Sequence, residues 1–197
     1  ALGAGSIAAK GEVGIVAASG SGAQEIACIL ERFGVGVSAL IGTGGRDLYP
    51  EIGGLMMLEG MRRLERDPET KAIILVSKLA DSGVMEKVLT VADRNEKPTV
   101  AVFLGGDETL FAGHRVQGTF DSLEKAALLA VEAVKGTPVT DFGFSQADIE
   151  GTVACSLKRW NKKQKYLRGL YCGGTFTEEG MLYFSEHNPE TKLYSNL

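Results

Sequence analysis

The feature that most constrains this chain is a change of hydrophobic period at a glycine-serine turn. Within Glu12 to Gly34, the residues Val13, Ile15, Val16, Ala17 and Ala18 form an apolar run of strand length, and Ser19-Gly20-Ser21-Gly22 follow at once. Beyond the glycines, Ile26, Ile29, Leu30 and Phe33 recur at helical spacing, with Glu31 and Arg32 on the other face. Ser21 with Gln24 reads as a capping box, and Gly34 stands where a helix-ending glycine belongs. The spacing predicts strand, tight turn, helix. Such a turn leaves several backbone N–H groups at the helix start without intrahelical partners, aimed near one point, and glycine admits close approach of a ligand. With two serine hydroxyls and the helix dipole, the implied ligand is a phosphoryl group or a carboxylate. The alternative is a plain βα turn, in which Ser and Gly serve conformation alone. The turn matches neither GxGxxG nor GxxxxGK[ST], so neither a dinucleotide site nor a Walker loop is supported.

The same alternation continues. Val35 to Ile41 reads as a second strand, ending in Gly42-Thr43-Gly44-Gly45-Arg46-Asp47. A helix follows from about Pro50, with Leu55, Leu58, Met61 and Leu64 on one face, and Asp67-Pro68 breaks it. Lys71 to Ser77 is a third strand, apolar on both faces as a sheet covered by helices requires. A third helix spans Gly83 to Arg94, a fourth strand Pro98 to Leu104, and Gly105 to Gly118 reads as an irregular loop. Asp121 with Glu124 caps a helix that runs to Gly136. Repeated βα units imply an α/β fold, a parallel sheet with helices on both faces, whose ligands gather at the carboxyl ends of the strands. Those ends are the SGSG turn, the GTGGRD turn, Ser77-Lys78 and Gly105-Gly106.

Beyond Gly136 the character shifts. Residues 137–165 read as a connector and a helix, which Ser145 and Asp148 start and Ile149, Val153, Leu157 and Trp160 stripe. The run Lys158 to Lys165 reads as a solvated helix end, with RNA or membrane binding as the lesser alternative. The opening motif then returns, since Leu167 to Glu178 lays onto Gly14 to Glu25 with strand, small-residue turn and Glu in register. Residues 166–197 are therefore expected to start a second, incomplete module. Net charge of -4 gives no reason to expect nucleic acid, and no apolar run reaches the length of a membrane span. Three cysteines without CxxC spacing suit reduced structural thiols in a cytoplasmic protein. The start, ALGAGSIAAKG, lacks Met and reads like an interdomain connector, so the chain is expected to be part of a longer one.

Four blocks carry a resemblance: GEVGIVAASGSGAQE, IGTGGRDL, GGLMMLEGMRRLERDPETKAIILVSK and LRGLYCGGTFTEE. Together they resemble the FdrA family of predicted acyl-CoA synthetases, itself similar to the succinyl-CoA synthetase α subunit. The resemblance covers nearly all of residues 11–180. It implies a flavodoxin-like ligase domain over residues 1–136, placed downstream of a CoA-binding Rossmann domain that this sequence lacks. CoA with phosphate or ATP are the implied cofactors. The implied partners are a small-molecule carboxylate or phosphate, and other subunits or domains of the same enzyme.

In the synthetase pattern a loop histidine carries the phosphoryl group, and a helix N-terminus from each subunit stabilises it. By resemblance, Ser19, Gly20, Ser21 and Gly22 match the first such terminus, and Cys172, Gly173, Gly174 and Thr175 look like the second, here in one chain. Gly44, Gly45 and Arg46 join them as phosphate-binding candidates, Arg46 through its planar fork or, alternatively, in a turn salt bridge with Asp47. His114, preceded by Gly113, is the candidate phosphohistidine or else a surface loop residue. Lys78 stands where the synthetases place a glutamate that orients the histidine, which inverts the local electrostatics. It is either an anion ligand or a surface lysine. Glu25 and Glu178 are expected in the first turn of their helices, where the dipole alone accounts for them.

Two enzymatic functions follow from the resemblance. One is acyl-CoA ligation through an acyl phosphate. The other is carbamoyl transfer, in which phosphate splits oxalurate to carbamoyl phosphate and oxamate and no nucleophilic side chain is needed. A non-catalytic binding subunit is the third possibility.

Overall fold

The computed structural model describes residues 8–78, 80–139 and 144–196. The four apolar runs become β1 (Lys10–Ala17), β2 (Val37–Gly42), β3 (Ala72–Lys78) and β4 (Thr99–Leu104), and a short polar segment adds a fifth strand, β5 (Gln117–Thr119). All pair in parallel, in the order β2-β1-β3-β4-β5. Among the described residues six α-helices accompany them: α1 (Gly20–Arg32), α2 (Leu55–Arg66), α3 (Ser82–Ala92), α4 (Leu123–Lys135), α5 (Gln146–Arg159) and α6 (Gly174–His187). This strand order is the flavodoxin-like form of the doubly wound sheet, and its switch point lies between β1 and β3. The α/β expectation holds.

Strand alternation divides the core into two layers. Val13, Ile15 and Ala17 of β1, Ala72, Ile74 and Val76 of β3, and Val100, Val102 and Leu104 of β4 pack with α1 and α4. The intervening Val16, Ile73, Leu75, Ala101 and Phe103 pack with α2 and α3. Both faces are covered, so every residue of β4 is buried. Phe176 and Leu182 bring α6 onto the α1–α4 layer, whereas no residue of α5 is buried.

Several boundaries differ from the sequence reading, each for a local reason. The cap of α1 is Ser19, whose Oγ accepts from Gly22 N–H, so the helix opens two residues before the expected Ser21 box. Gln24 donates instead to the Gly20 carbonyl. Glu25 and Glu178 therefore sit beyond the first turns of α1 and α6. Helix α2 starts at Leu55, not Pro50, because Asp47 reaches across the loop and accepts from Met56 and Met57 N–H at 3.0 and 2.7 Å. Ser122 caps α4 in place of Asp121, which pairs with Lys125. The expected irregular loop holds a 3-10 turn (Glu108–Phe111) and the edge strand β5. Leu167 to Tyr171 form no strand; they are exposed and pair with neither edge of the sheet. All three cysteines are exposed rather than structural core thiols. Part of the expected connector, residues 140–143, lies outside the described residues.

Helix α2 approaches the sheet through Gly60, where a Cβ would stand 2.7 Å from a Val16 methyl carbon. Replacing Gly60 by Ala gains about 1 kcal/mol of helix propensity. Overpacking against a branched side chain costs typically ~1–3 kcal/mol, and the Val16 methyl has no flexible tail to swing away. Urea unfolding of Gly60→Ala is therefore expected to show a net loss of roughly 1 kcal/mol with an unchanged m-value.

Candidate functional site

The carboxyl ends of β1 and β3 place the SGSG turn at the switch point of the sheet. The second small-residue turn comes to the same place from the far end of the chain. Ser19 Oγ and Thr175 Oγ1 share a hydrogen bond of 2.6 Å, and both residues are buried. Gly173, at φ +107°, closes the approach: a Cβ there would stand 2.9 Å from Ser21 Oγ. Gly22 is packed between Ser19 Oγ, Val76 and Thr175, so a side chain there has no room either. The N-termini of α1 and α6 are thus held against each other.

This geometry divides the candidate residues by role. The hydroxyls of Ser19 and Thr175 are engaged with each other, and Ser19 also holds Gly22 N–H. They fasten the two turns together and are not exposed ligand groups. Ala23 N–H is bonded to the Ser19 carbonyl as well. The amides that open α1 ahead of these, at Gly20 and Ser21, and those of Gly174 and Thr175 in α6, have no carboxylate partner among the described residues. Open space surrounds Gly20, and Cys172 is exposed beside Gly173.

The treatment of the other helix starts sets these two apart. The first amides of α2 are bonded to Asp47, Asp81 takes Val84 N–H of α3, Glu179 takes Leu123 N–H of α4, and Asp148 completes a capping box on α5. Four helices carry an internal carboxylate on their positive pole. The two that show none among the described residues, α1 and α6, face each other. Burial holds the Glu179 carboxyl above its usual range, although the Leu123 N–H pulls the other way.

The GTGGRD turn lies beside this pair. Thr43 N–H bonds the Ala17 carbonyl, and a Cβ on Gly45 would lie 3.8 Å from the Ala18 carbonyl oxygen. Gly44 takes φ +92° and is exposed. The Arg46 guanidinium stacks over Tyr49 at 5.7 Å, and Asp47 caps α2, so the Arg46–Asp47 salt bridge is not formed. Thr43, which the sequence reading passed over, buries a hydroxyl oxygen with no hydrogen-bond partner among the described residues. Lys78 ends β3, half-buried, on the same edge of the sheet.

His114 is not brought to this site. Strand β5 begins opposite Val100, near the start of β4, so the residues just before it lie at the amino ends of the strands. There His114 Nδ1 bonds Asp93 Oδ2 at 2.6 Å and Nε2 bonds Glu86 Oε2 at 3.3 Å. Asp93 is the C-cap of α3, on the side of the sheet remote from the turns that open α1 and α6. The Asp93 hydrogen bond raises the imidazole above its usual range, with Glu86 adding to it against burial. Burial pushes the Asp93 carboxyl up, but hydrogen bonds from His114 and from the backbone of Arg115 and Val116 leave it below the usual range. The arrangement is a latch between α3 and the loop before β5. Among the described residues no group of three or more His, Cys, Asp or Glu could hold a metal, and no helix is long and apolar enough to cross a membrane.

No family model matches the chain. It is 42% identical over 191 residues to YahF of Escherichia coli (strain K12), an uncharacterized protein, the match covering 95% of this chain and 36% of YahF. It is 28% identical over 152 residues to the malate–CoA ligase subunit alpha of Methylorubrum extorquens, covering 74% of this chain and 50% of that one. Against the ADP-forming succinate–CoA ligase subunit alpha of Aquifex aeolicus it is 28% identical over 140 residues, 65% and 45% of the two chains. The chain spans between about a third and a half of the length of these relatives. It is homologous to the α-type domains of CoA ligases.

Thr175→Val keeps shape but leaves one hydroxyl of the fastening pair alone, and is expected to cost about 1 kcal/mol in chemical denaturation. Thr175→Ser should restore most of it. The latch carries a pH signature. His114, with a raised folded pKa, contributes stability that is fully present below the unfolded histidine pKa and lost as pH rises through the folded one. Asp93, depressed, contributes stability present above its unfolded pKa and lost as pH falls through its folded value. Unfolding midpoints recorded against pH should therefore peak between the two, and His114→Asn should flatten the alkaline limb.

Proposed function

We propose that this chain is the ligase-type domain of an FdrA-like acyl-CoA synthetase that activates a small carboxylate, with the phosphoryl oxygens held between the N-termini of α1 and α6. One observation carries the reading: these are the helix starts without an internal carboxylate, and they converge. Two positive poles sharing one anion fit a doubly charged phosphoryl group better than a single carboxylate does. Homology to malate–CoA and succinate–CoA ligase α subunits supports the reaction class. Residues 1–136 supply the first pole, and the turn of residues 166–197 supplies the second in place of a separate module. Gly44, Gly45 and Arg46 border the anion, and Lys78 adds a cation from the end of β3.

In this reaction a carboxylate oxygen takes the γ-phosphoryl of ATP, giving an acyl phosphate and ADP. The CoA thiol then attacks the acyl carbon, loses its proton, and expels phosphate into the two-helix cradle. The CoA site belongs to another domain or subunit, and the enzyme works in the cytoplasm with further subunits.

The place of His114 favours a second reading. Held at the amino ends of the strands by Asp93 and Glu86, it is not a phosphoryl carrier for this cradle. Carbamoyl transfer needs no carrier. Phosphate held between α1 and α6 attacks the ureido carbonyl of oxalurate, a C–O bond forms, the C–N bond breaks, and the oxamate nitrogen takes the proton. Backbone N–H groups and Lys78 stabilise the oxyanion that develops.

Ser21→Asp fills the α1 pole from within, as Asp47 does for α2. Calorimetric titration with inorganic phosphate should show affinity weakened at least ~10-fold, about 1.4 kcal/mol. Phosphate binding by the variant equal to that of the parent chain would overturn both readings. The full-length protein with its subunits separates them: CoA-dependent ADP formation marks the ligase, and phosphate-dependent carbamoyl phosphate formation without CoA marks the transferase.

A further inference from the structure

Among the described residues two hydrogen bonds tie α6 to the rest of the fold. Thr175 Oγ1 meets Ser19 Oγ at the start of α1, and Glu179 Oε1 accepts from Leu123 N–H at the start of α4, at 2.8 Å. Thr175 and Glu179 are one helical turn apart, so they stand on a single face of α6. Packing adds little: Thr175 is the one buried residue of this helix, and Phe176 and Leu182 are only partly buried against the α1–α4 layer. A rod held at one point can pivot about it. A second hold, ~6 Å further along the axis, fixes its direction as well. Glu179 supplies that hold from outside the pair of facing turns.

Accepting one N–H needs only a neutral carbonyl oxygen, yet a carboxylate stands here, half-buried and among its own kind. Glu25 of α1, and Asp121 and Glu124 at the start of α4, all bear on it unfavourably. Lys125 pairs with Asp121. On α6 itself Glu178 lies against the end of β4, its Oε1 3.6 Å from where a Cβ of Gly105 would stand. Resting on the reading of the two helix starts as an anion cradle, we propose that Glu179 is its positioning residue, a clasp that sets the start of α6 against that of α1 and tightens when the carboxyl takes up a proton. The protonated group keeps a carbonyl oxygen for Leu123 N–H and sheds its repulsion of the three neighbouring carboxylates. Burial and those neighbours hold the carboxyl of docked α6 above its undocked value, against the pull of the Leu123 N–H. Its contribution to docking is therefore fully present below the undocked pKa and is lost as pH rises through the docked one. The clasp is firmest in mild acid, and an anion that needs both helix starts is held best there.

Hydrogen exchange of the α6 amides, expressed as protection factors so that the intrinsic pH dependence cancels, tests the clasp. In the parent chain protection should fall several-fold between mildly acidic and mildly alkaline pH. Glu179→Gln keeps an acceptor without the charge, and should hold protection at the acid level across that range. Glu179→Ala removes the acceptor and should lower protection in mild acid about tenfold, while the thermal transition of the core stays in place. Calorimetric titration with sulfate, whose charge is constant over this range, reads the cradle. Affinity should follow α6 protection, at least equal to the parent in Glu179→Gln and weaker by about threefold or more in Glu179→Ala. Parent-like protection in Glu179→Ala would overturn the proposal. So would a pH dependence that survives in Glu179→Gln, or a sulfate affinity that ignores these changes in α6. If the parent chain takes up no sulfate while the exchange pattern is as expected, the cradle reading falls and the clasp between α6 and α4 stands.

Discussion

Every α-helix begins with amides that its own ladder cannot satisfy, and most of what is distinctive in this structure is the way those amides are treated. Asp47, Asp81, Glu179 and Asp148 each supply a carboxylate oxygen to a helix start, Asp47 and Asp81 from the loop before the helix and Asp148 from its first turn. Glu179 acts from a different helix, and in doing so ties α6 to α4. The sheet sets the rest. Parallel strands deliver the starts of α1, α2 and α3 to one edge, so the treatment of a handful of backbone groups decides what that edge attracts.

The two-layer core and the polar edge answer different demands. Alternation along β1, β3 and β4 fixes which residues meet α1 and α4 and which meet α2 and α3, and close approach at Gly14 and Gly60 draws Leu64 and α2 onto β1. That rigidity lets a 2.6 Å hydroxyl contact join Ser19 to Thr175 across 156 positions of sequence. A proton shared between two buried hydroxyls is directional, so it fixes orientation as well as distance between the helix starts.

Much of this was legible in the residues. The change from strand to helix period at Ser19-Gly20-Ser21-Gly22 marks the first turn within two residues, because apolar spacing on the two sides differs so clearly. The strands β3 and β4 were visible as unbroken apolar runs for the same reason. What escaped was set by distant partners. Nothing near Pro50 announces that Asp47 will hold the first amides of α2, and a three-residue strand holding Gly118 carries too little pattern to be seen. The position of His114 depends on that hidden strand: once β5 pairs with β4, the residues before it are carried to the amino edge. The internal repeat pointed to a helix after Cys172-Gly173, which α6 is, yet the matching strand at Leu167 to Tyr171 does not form and the segment lies exposed.

The long span between Ser19 and Thr175 has a temporal side. During synthesis the sheet and the helices from α1 to α4 emerge well before the residues of α6, and such a unit gathers its core as it leaves the ribosome. Helix α6 buries little beyond Thr175 and docks on a surface already formed. The nascent chain therefore folds first and sets the start of α6 against that of α1 last, so that translation stopped short of Gly173 yields a well-packed molecule with only one of the two facing helix starts in place.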